Sequence, residues 1–71
     1  MAPALRVTAN GKPFEVPPGT TVAAFVRLRS LDPRFVVVER NGEALERARY
    51  EETELTDGDR LELVRAVAGG R

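Results

Sequence analysis

The chain contains no cysteine and no histidine. Without cysteine it can form no disulfide, no cysteine nucleophile and no thiolate metal site. Without histidine it lacks the commonest general base and the commonest transition-metal ligand. A chain of 71 residues also leaves little room for an enclosed pocket. These absences exclude Ser-His, Cys-His and zinc chemistry and make a stand-alone enzyme the least favoured class of protein.

Neither sign of charge is in excess, because eleven basic residues balance eleven acidic ones. Such a chain has no net field that would attract nucleic acid or an anionic membrane. Its apolar runs are far shorter than the roughly 18 residues of a membrane span, and the N-terminus does not resemble a secretory signal. We therefore expect a cytoplasmic protein with no nucleic acid, membrane, metal or cofactor bound.

The first sixteen residues predict a β-hairpin. Apolar and polar residues alternate from Leu5 to Ala9, as in a half-buried strand. Asn10-Gly11 supplies the positive φ angles of a two-residue turn, and Phe14 and Val16 continue the alternation.

A helix is predicted over residues 22–30, with Thr20 or Thr21 as its N-cap. Three apolar residues at helical spacing form its buried stripe: Val22, Phe25 and Val26. Asp32-Pro33 is expected to end the helix, because proline disfavours the helical conformation in the residue before it.

Residues 35–40 are β-branched and nearly all apolar up to Val38, which predicts a strand buried on much of both faces. Asn41-Gly42 is a second hairpin turn, followed by a short return strand over residues 43–46. The polar segment 47–54 is interpreted as a surface connection with one helical turn, anchored by Arg47 and Tyr50.

The last strand is predicted over residues 60–67. Alternation places Leu61 and Leu63 on the core face and Glu62 and Val64 on the opposite face. The Asp57-Gly58-Asp59 segment before it is interpreted as a tight turn rather than a metal site, since two carboxylates provide too few ligands for calcium. Glu51, Glu52 and Glu54 are expected to form a solvated face.

The element order ββαββ predicts an α+β fold with one mixed sheet of four to five strands and one main helix across one face. The crossover rule places the last strand beside the first and parallel to it. This arrangement is the ubiquitin-like β-grasp, with a domain over residues 1–67 and a tail over residues 68–71.

The tail contains Gly69-Gly70, whose conformational freedom is wide. A tail without side chains can thread a narrow channel of a partner enzyme and present its own carboxylate there. Three extended residues reach about 10 Å from the domain. The pair is a weak motif alone and a stronger one directly after the last strand of this fold.

Several segments form an ordered set along nearly the whole chain: Asn10-Gly11, Pro18-Gly19-Thr20-Thr21-Val22, Val36-Val37-Val38-Glu39, Asn41-Gly42-Glu43, Arg47, Tyr50, Leu55-Thr56-Asp57-Gly58-Asp59 and the closing Gly69-Gly70. No single segment is specific, but the ordered set at this spacing is. In these residues the chain resembles the ThiS family, the sulfur carriers of thiamine biosynthesis.

The resemblance implies that Gly70 carries sulfur and that Gly69 is its flexible lead-in. An E1-like adenylating enzyme would activate the glycine carboxylate with ATP and magnesium, which the carrier itself does not bind. A persulfide donor would then supply sulfur to form a thiocarboxylate, and thiazole synthase would receive that sulfur. By the same analogy Val64, Ala66 and Val67 are candidate docking residues for these partners.

Two residues depart from the family pattern. Arg71 follows the second glycine, and we expect it to be removed or to be foreign to the native chain. Arg29 stands where an apolar residue is usual. We expect Leu28 to take over that contact or the arginine to extend along the helix edge.

Three other functions remain open at this stage. The chain could be a related β-grasp sulfur carrier for molybdopterin or for transfer-RNA thiolation. It could be a ubiquitin-like protein modifier, although Lys12 is its single lysine. It could also be a non-covalent binding module with an unimportant tail.

Overall fold

The computed structural model describes residues 3–66 and contains a five-stranded sheet with one α-helix. The elements follow the chain in this order: β1 (Leu5–Ala9), β2 (Lys12–Val16), α1 (Val22–Leu28), a first 3₁₀ turn (Pro33–Phe35), β3 (Val36–Arg40), β4 (Glu43–Ala44), a second 3₁₀ turn (Arg47–Arg49) and β5 (Arg60–Arg65). None of the described helices is long and apolar enough to cross a membrane.

The strand order across the sheet is β2-β1-β5-β3-β4. The β1–β2 and β3–β4 pairs are antiparallel hairpins, and β5 lies between them, parallel to β1 and antiparallel to β3. This order, with one helix packed on the sheet, confirms the predicted ubiquitin-like β-grasp and the predicted place of the last strand.

Both Asn-Gly pairs form the predicted turns, with positive φ at each asparagine and glycine. Each asparagine also contacts β5. Asn10 accepts from the Leu63 N–H at 2.9 Å and donates to its carbonyl at 3.2 Å. Asn41 accepts from the Arg60 N–H at 2.9 Å. The two hairpins are therefore held to the central strand by turn side chains as well as by strand pairing.

The core lies between α1 and one face of the sheet. Its buried residues include the predicted helix stripe and the predicted Leu61 and Leu63. The complete set is Val7, Ala9, Val16, Val22, Ala23, Phe25, Val26, Val36, Val38, Tyr50, Leu55, Leu61 and Leu63. Thr21 is the N-cap, accepting from the Ala24 N–H at 3.1 Å.

The helix ends earlier than predicted, at Leu28 rather than residue 30, and Pro33 is not what stops it. Ser30 adopts a left-handed φ of 64°. The Ser30 N–H donates to Arg27 and the Leu31 N–H donates to Val26, both carbonyls of the last turn. This is a Schellman motif, which ends a helix by satisfying its last carbonyls.

Several strand boundaries also differ from the prediction. Phe35 belongs to a 3₁₀ turn rather than to β3, and β4 stops at Ala44 rather than residue 46. β5 stops at Arg65, which leaves Ala66 after the strand, while Val67 lies outside the described residues. The boundary between domain and tail at residues 67 and 68 likewise lies outside them and stays a prediction.

The interpretation of β3 as buried on both faces was wrong. Val36 and Val38 are buried, but Val37 between them is 41% exposed. The reason is that a single helix covers only one face of this sheet, so strand alternation decides which residues are buried. Arg47 is exposed, whereas Tyr50 is buried and does anchor the connection.

Candidate functional site

The candidate functional site is a group of exposed apolar residues at the end of the sheet where β5 finishes. Val64 is 57% exposed and is the register partner of Val37 on β3. Phe35, immediately before β3, is 43% exposed. The Ala66 N–H donates to the Phe35 carbonyl at 2.7 Å, which holds the chain beyond β5 against the start of β3. We call Phe35, Val37, Val64 and Ala66 the tail-end patch.

The tail-end patch contains two of the predicted docking residues and two that sequence reasoning missed. Val64 is exposed as predicted, and Ala66 is partly buried beside it. Val37 and Phe35 were missed because residues 35–40 were interpreted as buried on both faces. The signal that could have found them is the presence of one helix only, which leaves the alternate residues of every strand uncovered.

The predicted sulfur-bearing Gly70, its lead-in Gly69 and the docking candidate Val67 lie outside the described residues. Those assignments therefore stay predictions. What the described residues establish is that β5 ends at Arg65, at the same end of the sheet as the tail-end patch.

The turn before β5 is tied together by Asp59, which is 5% exposed. Its carboxylate accepts from Arg40 Nε at 3.0 Å, Asn41 Nδ2 at 3.0 Å and the Thr56 N–H at 2.8 Å. Burial alone would raise the pKa of Asp59, but these donors outweigh it and hold the pKa below its ordinary value.

The neighbouring Asp57 is not paired with Asp59 as a ligand site. Its carboxylate accepts from the Arg6 N–H at 2.7 Å. Among residues 3–66 no group of three or more acidic side chains is placed to hold a metal ion. The interpretation of the Asp-Gly-Asp segment as a turn is confirmed, with the addition that Asp59 is a buried anchor.

A hollow of about 630 Å³ lies beside the C-terminal end of α1 and borders the tail-end patch, because its lining residue Arg34 lies over the ring of Phe35. It is lined by charged residues that are largely paired with one another. Arg27 pairs with Glu51, and Arg34 pairs with Asp32 at 2.8 Å. Hydrogen bonds from Arg34 lower the pKa of Asp32 to about 2. Since four of its five charged side chains are paired with one another, this hollow is a weaker candidate than the tail-end patch.

Comparison with known proteins decides the family. The family model described as "ThiS family" matches residues 4–70. The chain belongs to the ThiS family. This ThiS-family match includes Gly69 and Gly70 and extends over nearly the whole chain, as the resemblance predicted.

Individual ThiS proteins support the same assignment. The sulfur carrier protein ThiS of Bacillus subtilis is 39% identical over 62 residues, covering 86% of this chain and 94% of that protein. The crystal structure of the thiamine biosynthesis protein ThiS from Geobacter metallireducens matches with a TM-score of 0.73 and 35% identity, covering 93% of this chain and all of that one.

A thiazole synthase of Paramagnetospirillum magneticum is 33% identical over 66 residues. The match covers 93% of this chain but only 20% of that protein. A ThiS-like segment therefore occurs within a much longer relative, and the likeness does not extend to the rest of that protein.

Proposed function

We propose that this chain is the sulfur carrier of thiamine biosynthesis, acting as a co-substrate rather than as an enzyme. The observation that carries the proposal is the ThiS-family match over residues 4–70, joined by the likeness to a sulfur carrier of almost the same length. The fold agrees with this role, because the described residues form a β-grasp domain with its own buried core from Val7 to Leu63.

In the proposed reaction an E1-like adenylating enzyme binds the carrier with ATP and magnesium. The Gly70 carboxylate attacks the α-phosphorus of ATP, which forms an acyl-adenylate and releases pyrophosphate. A persulfide of the donor attacks the acyl carbon and displaces AMP. A thiol then cleaves the resulting acyl disulfide, leaving the thiocarboxylate on Gly70 and a disulfide on the donor side.

This chemistry requires that Gly70 bear the free carboxylate, so the Gly70–Arg71 bond must be absent from the reacting form. Thiazole synthase is the proposed acceptor of the sulfur. The tail-end patch is the proposed docking surface for the partners, because it lies beside the end of β5 and holds the exposed apolar residues of the uncovered sheet face.

The test is incubation of the chain ending at Gly70 with its adenylating enzyme, ATP, magnesium and a persulfide donor, followed by intact-mass measurement. We expect a gain equal to the difference between a sulfur and an oxygen atom. The full-length chain, run in parallel, should gain nothing if Arg71 blocks the carboxylate. An unchanged mass with a competent enzyme would contradict the proposal.

The docking role of the tail-end patch is tested by Val64→Asp, which places a charge in a surface that would lose its water when the partner binds. We expect the rate of adenylation to fall about tenfold or more. The matched control is Leu28→Asp, because Leu28 is also an exposed apolar residue, at 64%, but lies at the end of α1. Equal losses in both variants would argue against a docking role.

The acceptor is identified by offering the thiocarboxylate form to thiazole synthase and, separately, to molybdopterin synthase and a transfer-RNA thiolation enzyme. Sulfur transfer to thiazole synthase alone is the expected result. High-mass conjugates to lysines of other proteins would instead indicate a ubiquitin-like modifier.

A further inference from the structure

Two glutamates lie opposite each other on the sheet face that α1 does not cover. Glu39 on β3 and Glu62 on β5 are register partners, and both are exposed. Strand alternation places them on the same face as Val37 and Val64, two residues further from the C-terminal end of β5. Side chains directly opposite in an antiparallel pair have Cβ atoms about 5 Å apart, and like charges there destabilise the sheet.

The described part of the chain does not neutralise this pair. None of the ion pairs within residues 3–66 includes Glu39 or Glu62. Arg60 is the nearest cation by register, two residues before Glu62 on the same face, yet it forms no ion pair with either carboxylate. Among the other exposed acids, Glu15 and Glu51 each pair with an arginine, whereas Glu46 and Glu54 form no ion pair within residues 3–66 and lie outside the sheet strands.

The two glutamates also line a shallow hollow of about 360 Å³. It lies between the two Asn-Gly turns, where Gly11 and Gly42 contribute no side chains to its rim. A Cβ added at either glycine would meet nothing within 4 Å. Arg60 lines the same hollow, which therefore holds two carboxylates against one guanidinium and keeps an excess of one negative charge.

We propose that Glu39 and Glu62 receive a lysine or arginine side chain of the adenylating enzyme when it docks on the tail-end patch. The inference rests on the proposed function, since it concerns the same docking face. Charge complementarity supports it: an unneutralised like-charge pair costs the isolated carrier stability, and a basic group between the carboxylates reverses that cost. Contiguity supports it too, because the glutamates continue the rows of Val37 and Val64 along β3 and β5.

The first test measures association of the carrier with its adenylating enzyme at low and high salt. In the double variant Glu39→Gln/Glu62→Gln we expect the association rate at low ionic strength to fall about tenfold. The difference from wild type should vanish at high salt, because exposed charges mainly change the rate of association and salt screens them. The matched control is Glu46→Gln/Glu54→Gln, which removes the same charge from exposed acids outside the sheet strands and should change the rate less than twofold.

The second test separates docking from structure with Glu62→Lys, which converts the opposed pair into one of opposite charge. We expect the melting temperature to rise by about 2 °C or more, while association with the adenylating enzyme slows. A residue with a purely structural role would not improve stability and impair binding together.

Two results would overturn this inference and leave the proposed function standing. One is wild-type carrier that binds the enzyme and gains sulfur while the Glu39/Glu62 double variant associates equally fast. The other is a melting temperature that Glu62→Lys leaves unchanged or lowers. A wild-type carrier that neither binds the enzyme nor gains sulfur would overturn the proposed function as well.

Discussion

At the scale of single residues, Asp59 shows how a charge becomes structural. It is the one charged side chain buried among residues 3–66. Its three donors come from the β3–β4 hairpin and from the segment before β5, which are separate in sequence. The carboxylate thereby joins the second hairpin to the start of the central strand.

Replacing Asp59 by Asn should lower the free energy of unfolding at neutral pH by about 2 kcal/mol, because hydrogen bonds to a charged group are lost and a buried donor faces other donors. The pKa of Asp59 is lowered in the folded state. Its contribution is therefore present above the ordinary value of 3.8 and is lost as the pH falls through the lower folded value.

Denaturant unfolding of wild type and Asp59→Asn across a pH series checks this prediction. The difference between the two proteins should be greatest above about pH 4 and should shrink on acidification. The control is Glu52→Gln, whose ion pair with Arg49 is exposed and should contribute little. A difference that is constant with pH would contradict the role of the carboxylate.

Arg29 shows how the fold accommodates a departure from the family pattern. Its guanidinium lies 4.3 Å from the centroid of the Phe14 ring. That ring meets Phe25 edge to face at 5.6 Å. The arginine thus extends along the helix edge and covers the core there, which is one of the two arrangements we expected. Leu28 is exposed and does not take over the contact, so the other expectation was wrong. A cation over an aromatic face stabilises such an arrangement.

At the scale of elements, the outer edge of β3 is completed by a side chain. β4 is too short to pair with the whole of β3. The Tyr50 hydroxyl donates to the Val36 carbonyl at 2.9 Å and accepts from the Val38 N–H at 3.0 Å. One phenol therefore substitutes for a neighbouring strand, and it explains why the 45–55 connection must pack against the sheet.

Tyr50→Phe should preserve the packing of the ring but leave two buried backbone groups without partners. We expect a loss of about 2 kcal/mol in the free energy of unfolding, measured by denaturant titration. Hydrogen exchange gives the local check: protection of the Val38 amide should fall more than that of Leu63, whose N–H is bonded by Asn10. Equal loss at both amides would mean that the hydroxyl has no specific role at this edge.

At the scale of the whole molecule, the described core is complete without the tail. Every core residue lies between Val7 and Leu63. The described core and the residue proposed to carry sulfur therefore lie in different parts of the chain. We expect that either part can be altered without changing the other.

Removing residues 68–71 should leave the melting temperature within about 2 °C of the full-length value, since every core side chain among residues 3–66 is kept, and should abolish sulfur loading. Thermal unfolding and intact-mass analysis of the shortened chain check the two halves of this prediction. A chain shortened further, so that it ends at residue 62 and also lacks residues 63–66 of the folded part, should instead unfold. A large loss of stability on removing 68–71 would contradict the predicted division at residue 67.

Local signals in the sequence were sufficient for much of the fold. Both Asn-Gly turns, a threonine cap at residue 20 or 21 and the stripe of Val22, Phe25 and Val26 depend on backbone conformation and residue spacing within a few positions. The helix end was misjudged because Ser30, rather than a glycine, adopts the left-handed conformation of the Schellman motif. A non-glycine residue in that conformation is uncommon and has a weak sequence signal.

By itself, the sequence determined the β-grasp order of elements, the absence of cysteine and histidine chemistry, and the Gly69-Gly70 pair on which the proposed function depends. Only the tertiary structure decided which side of β3 meets solvent, which carboxylate is buried and which glutamates face each other. The physical reason is that these properties depend on partners far apart in the chain. Burial of Asp59, exposure of Val37 and the opposition of Glu39 and Glu62 are set by how the strands assemble around β5 and by the single helix that covers one face of the sheet.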